Sequence, residues 1–183
     1  MKILSQKVLA SIATAALALG SATSALSQTD SETSVITLNY MSTQVIDIAF
    51  VNDLNLIAPP DGTPGPILAE DTFCVAGMGF PNFGITFSNP ANPVGGPFEL
   101  DSSVPGAPPI MYEVFFQNNA GPGMGIPVTP DNLNPGNMIQ TPMCMDPTMD
   151  NAKFSIEIQE PEWAGRAPDA PFTGLLEITV QAE

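Results

Sequence analysis

The sequence predicts an all-β domain, a sandwich or a barrel, and three observations predict it. Short runs rich in β-branched and aromatic residues alternate apolar and polar positions, the period of two expected of half-buried strands. All 20 prolines lie between Pro59 and Pro171, mostly in clusters that punctuate strands, because proline cannot donate to a central ladder. After residue 27 helical periodicity is almost absent, and only Glu160 to Gly165, around Trp163, leaves room for a short helical turn.

The elements in order begin with a leader. Lys2 and Lys7 form a basic start, Val8 to Gly20 is an apolar run of small residues, and Ala25-Leu26-Ser27 before Gln28 suits signal-peptidase cleavage. The expected division is a signal peptide over 1–27, an extension over 28–44 carrying a candidate strand, and one domain over 45–183. No later stretch reaches the 18 apolar residues of a membrane span. The expected product is exported. Beyond the leader only Lys153 and Arg166 stand against 19 acidic residues, which disfavours nucleic acid and anionic membrane as partners.

Val35 to Val51 is free of proline and glycine, and its even positions Ile36, Leu38, Tyr40, then Ile46, Ile48, Phe50 form two apolar runs separated by Ser42 and Gln44. Strands seldom exceed about ten residues, so the stretch divides into Val35 to Met41 and Val45 to Val51, with Leu54 and Leu56 continuing onward. Further strands are expected over Asp71 to Ala76, Phe83 to Ser88, Pro97 to Leu100, Met111 to Gln117, Lys153 to Ile158 and Phe172 to Val180. The last has Leu176, Ile178 and Val180 on one face and Glu177, Thr179 and Gln181 on the other. A sandwich that ends on such a strand leaves an edge that must be covered or must recruit a partner.

Cys74 and Cys144 are an even pair in an exported chain and read as one disulfide, stabilising by ~3 to 5 kcal/mol through its long loop. Free thiols or a zinc site are the alternative. The chain has no histidine and no third cysteine, which disfavours zinc. Met138, Met143, Met145 and Met149 around Cys144 offer soft sulfur for copper(I), but methionine also fills irregular gaps beside a disulfide loop. Asp146, Asp150 and Asn151 match no calcium-loop spacing. Without histidine the usual general base is missing, and no nucleophile elbow or phosphate loop occurs. Glu157, Glu160 and Glu162 are placed outward or in a turn rather than as a facing pair. No catalytic residue, metal ligand or cofactor is expected.

Asp71-Thr72-Phe73-Cys74-Val75, Phe83-Gly84-Ile85-Thr86-Phe87, Phe98-Glu99-Leu100, Tyr112-Glu113-Val114, Cys144, Asn151-Ala152-Lys153-Phe154 and the closing run Phe172 to Val180 follow in this order. The ordered set resembles the subunits of chaperone-usher pili, particularly the archaic class related to spore coat protein U. It covers about 71–183. The resemblance implies an incomplete immunoglobulin-like fold lacking its last strand, a periplasmic chaperone and an usher as partners, and neighbouring pilus subunits that complete the fold by β-strand addition. It implies Ile36, Leu38 and Tyr40 as donor residues, Leu176, Ile178 and Val180 as one wall of the acceptor groove, and a surface fibre serving adhesion or biofilm formation. Two features depart from the pattern: no cysteine stands between Val45 and Leu56, and the chain ends Gln181-Ala182-Glu183 without a penultimate tyrosine. The alternative is a secreted immunoglobulin-like binding module in which Val35 to Met41 closes the edge in cis, with a soft-metal or carbohydrate ligand.

Overall fold

The computed structural model describes residues 44–59, 63–166 and 171–183. The strands in chain order are β1 (Val45–Ala49), β2 (Ile67–Met78), β3 (Asn82–Ser88), β4 (Glu99–Ser102), β5 (Ile110–Met111), β6 (Glu113–Gln117), β7 (Ile126–Pro127), β8 (Asn134–Met138), β9 (Ala152–Ile158), β10 (Phe172–Thr173) and β11 (Glu177–Ala182). Among the described residues one short α-helix, α1 (Glu160–Trp163), precedes β10. The strands form antiparallel sheets in the orders β1-β2-β9-β6-β7, β11-β3-β8 and β10-β4-β5. The fold is all-β and consistent with an immunoglobulin-like sandwich.

The core follows from alternation. In β9 Ala152, Phe154, Ile156 and Ile158 face inward, and in β3 Phe83, Ile85 and Phe87 do the same from the opposing sheet. Phe87 meets Phe116 at 5.7 Å and Phe154 at 6.3 Å between ring centroids, so the two sheets join through tilted aromatic contacts. Each such phenylalanine, fully buried, contributes about 2 to 3 kcal/mol by transfer from water. The outward residues of β9 are also covered: Lys153 is only 2% exposed, and its ammonium donates to Glu70 at 3.1 Å.

Cys74 points away from the core side of β2 and is joined to Cys144 with the Cα atoms 5.8 Å apart, tying the segment before β9 over the outer face. Asn151 fastens the same place. Its amide donates to the Val75 carbonyl at 2.9 Å, its side-chain oxygen accepts from the Val75 N–H at 2.9 Å, and its own N–H reaches Phe73 O at 3.0 Å. A side chain thus continues the ladder where β9 begins.

Three expectations are corrected by the backbone, and one strand is unexpected. The first strand stops at Ala49, not Val51, because Phe50 turns at φ 68°, and the alternation of Leu54 and Leu56 belongs to an irregular segment. Met111 to Gln117 is interrupted at Tyr112, whose N–H bonds Phe98 O at 3.1 Å while its neighbours leave for different sheets. Phe172 to Val180 is two strands: β10 pairs β4, and β11 pairs β3. Asn134–Met138 is a strand that its proline, glycine and asparagines conceal.

Candidate functional site

The two halves of β2 have different neighbours on one side. Cys74 to Met78 pairs with β1, whereas Ile67 to Phe73 pairs with β9 on the other side and carries no β1 ladder. The reason is local. After the turn at Phe50, Asn52 donates its N–H to Asp71 Oδ2 at 2.7 Å and its amide to Asp71 Oδ1 at 3.1 Å and Phe50 O at 2.9 Å. These bonds hold the chain as it leaves the sheet, and residues 51–59 run on without strand pairing.

Across from that segment, β10 bends into β11 at Gly174. A Cβ there would stand 2.7 Å from the Glu99 carbonyl oxygen, so only glycine lets the chain pass this close to β4. β11 then pairs with β3 from Glu177 opposite Ser88 to Ala182 opposite Phe83. Its other edge carries no ladder among the described residues. Between residues 51–59 and the β10–β11 bend lies an open cleft of about 840 Å³, with Phe154, Ile156 and Ile158 as its floor and Leu176 and Ile178 on its wall.

The far end of the cleft is built by α1. Trp163 donates its indole N–H to Gly65 O at 3.2 Å. The guanidinium of Arg166 donates to Glu162 O at 2.8 Å and to the carbonyls of Pro108 and Pro109, each at 3.2 Å. Both side chains line the cleft with Tyr112, whose phenol pKa is pushed up to about 12 by burial, so that it stays neutral.

The residues singled out from sequence fall as follows. Leu176 and Ile178 line the cleft, whereas Val180 packs against the core outside its lining. Ile36, Leu38 and Tyr40 lie outside the described residues. Glu160 and Glu162 accept backbone N–H bonds from Gly65 and Met111 at 3.1 and 3.3 Å, a fastening role for α1. The soft-metal cluster loses its thiolate to the disulfide, and Met138, Met143 and Met145 are exposed. Asp146 accepts from the Thr148 hydroxyl and N–H, which hold its carboxyl below the usual value. Asp150 accepts from Thr72 and Asn151 binds Val75, so the three candidate calcium ligands serve three separate partners. Among the described residues no helix is long and apolar enough to cross a membrane.

Sequence reasoning missed Tyr112, Trp163, Arg166 and the 51–59 wall. One signal was visible: Trp163 and Arg166 are the only tryptophan and the only arginine of the chain, three positions apart.

No family model matches the chain, and no curated protein matches it. Among solved structures it is similar to a chain of a chaperone–tip adhesin complex described as vital for synergistic activation of CFA/I fimbriae biogenesis, with 17% identity and a TM-score of 0.44. The similarity covers 75% of this chain and 41% of that one, so this chain spans less than half the length of its neighbour. Likeness at that level transfers no role.

Proposed function

We propose that this protein is an exported subunit of a surface fibre, with its fold completed by strand addition at the β11 edge. The observation that carries the proposal is the cleft: a regular, proline-free edge strand beside an apolar floor that opens directly onto the core. An added strand gains ladder hydrogen bonds from β11, and its alternate side chains fill the floor. Ile36, Leu38 and Tyr40 are the inserted side chains, supplied by a neighbouring subunit. Before assembly a periplasmic chaperone lends the strand and an usher directs the exchange; the fibre serves adhesion or biofilm formation. The Cys74–Cys144 disulfide suits an oxidising compartment.

The path of the chain favours supply from a neighbour. Val45 enters β1 opposite Met78, at the end of the sandwich where β2 turns into β3, while the cleft opens toward the other end, at Ile67 and Ile158. A segment folded back along β1 through residues 41–44 would bring Ile36 level with Ala49, which stands opposite Cys74. The far end of the cleft is seven residues of β2 beyond that, roughly 23 Å at strand rise.

Size exclusion with light scattering on the chain from Gln28 tests this, beside the same chain carrying Ile36→Asp with Leu38→Asp. Ladders or filaments from the first and monomers from the second are expected. A stable monomer from the first would favour the self-complemented binding module instead.

A further inference from the structure

None of the seven methionines among the described residues belongs to the core or packs against it. Methionine is ordinarily among the residues most often buried, and it fills irregular gaps only where apolar neighbours surround it. Gap filling therefore does not account for the methionines on either side of Cys144. Met143 is 53% exposed and Met145 71%, and Met149 is half-buried without touching the core.

The loop that carries these three is fixed along its backbone. The Gln140 amide ties its two ends together by donating to Asn151 O at 3.3 Å. Both ends are also bound to β2, since Thr141 O accepts from the Gly77 N–H and the Asn151 N–H donates to Phe73 O, each at 3.0 Å. Between them Cys144 is bonded to Cys74. Residues 143–145 form no turn or bend, and their side chains alternate: Cys144 reaches β2 while Met143 and Met145 stand in solvent. The chain then reverses over a single 3-10 turn, Pro147–Met149, in which the Met149 N–H donates to Asp146 O at 3.1 Å. That turn starts just after Met145 and ends on Met149, so the three thioethers share one small, closed loop.

We propose that Met143, Met145 and Met149 form a thioether site for a soft monovalent cation, copper(I) or its analogue silver(I). The donor set selects the metal, because neutral thioether sulfur binds soft ions, whereas calcium and magnesium require oxygen ligands. Thioether is also the soft donor left to the loop once the Cys144 sulfur is committed to the disulfide. The unbranched methionine side chain has three rotatable bonds, so its sulfur closes on an ion without moving the backbone that the disulfide fixes. Asp146 and Asp150 stand in the same loop of a strongly acidic chain and draw cations toward it. The site is separate from the β11 cleft and does not depend on strand addition.

The test follows the methionine methyl groups by NMR in the chain from Gln28, labelled with carbon-13 at those methyls. It is titrated with silver(I) in chloride-free buffer, and in parallel with copper(I) kept reduced by ascorbate, which leaves the disulfide intact. The methyl signals of Met143, Met145 and Met149, assigned by single leucine variants, are expected to shift together and to saturate at one equivalent. Those of Met111 and Met124, on other elements, are expected to stay. Met143→Leu with Met145→Leu and Met149→Leu keeps volume and apolarity, so its unfolding midpoint should match the parent's. It should bind at least about tenfold more weakly, the loss typical even of a metal ligand's supporting partner. Met111→Leu with Met124→Leu should bind as the parent does. Equal affinity of the triple variant and the parent would overturn the proposal, as would a shift of all methionine methyls alike without saturation, or no shift at all.

Discussion

The two flanks of this sandwich end in opposite ways. On one flank the sheets finish in β7, two residues of which one is Pro127, and in β8, which contains Pro135 and Gly136. Both are poor templates for a further strand, because proline removes a donor and glycine weakens an extended run. On the other flank β11 is six residues, regular and free of proline and glycine, and it borders an open cleft. Among the described residues, features that discourage further strand pairing are concentrated on one flank, and the flank that lacks them is the one where strand addition is proposed.

The largest effect expected from breaking this comparison lies in the core that both flanks share. Phe154→Ala removes a ring that touches Phe73 and Phe87 and floors the cleft, and should cost about 3 to 5 kcal/mol in a denaturant titration. Removing the disulfide by Cys74→Ser with Cys144→Ser should cost about 4 kcal/mol in the chain-entropy model for a separation of 70 residues, measured the same way. It should leave the β11 edge competent, since the bridge lies on the outer face of the other sheet.

Asp71→Ala should cost about 1 to 3 kcal/mol, because it releases the Asn52 amide groups that fix the chain's exit from β1. Proteolysis should then cut preferentially within 51–59. Glu113 stands directly opposite Glu157 on adjacent strands, a like-charge pair, and Glu113→Lys should raise stability by about 0.5 kcal/mol with no change in assembly.

The smallest effect concerns acid. The Thr148 hydroxyl and N–H depress the folded pKa of Asp146, so their contribution is present above the ordinary value of 3.8 and is lost as pH falls through the depressed one. Thr148→Val should move the Asp146 carboxyl titration, followed by NMR, upward toward 3.8, and should lower stability slightly at neutral pH, where the contribution is fully present.

What could be read from sequence divides along the same line as the flanks. β9 is legible because Phe154, Ile156 and Ile158 alternate with polar neighbours, and the face of β11 is legible for the same reason: Ile178 is half-buried while Glu177 and Thr179 are exposed. β8 is not legible, since Asn134-Pro135-Gly136-Asn137 has turn composition and is made a strand only by pairing with β3. The cleft is half legible. Leu176 and Ile178 announce an apolar wall, but the space opposite them depends on a positive φ at Phe50, a non-glycine residue whose sequence gives no sign of it, and on an Asn52–Asp71 contact 19 residues apart. The far end of the cleft is legible only in part: Trp163 and Arg166 stand three positions apart at and just after α1, but Tyr112 comes from the junction of β5 and β6 and joins them only in the fold.

The most direct test of the open edge is hydrogen exchange at the β11 amides that point away from β3, compared between assembled chain and the Ile36→Asp, Leu38→Asp variant. Slow exchange in the assembly and exchange at least about a hundredfold faster in the variant, with β3 and β9 amides unchanged, is the predicted result. Equal protection in both would mean that β11 is already paired within its own subunit, and the account of an edge completed by a neighbour would be contradicted.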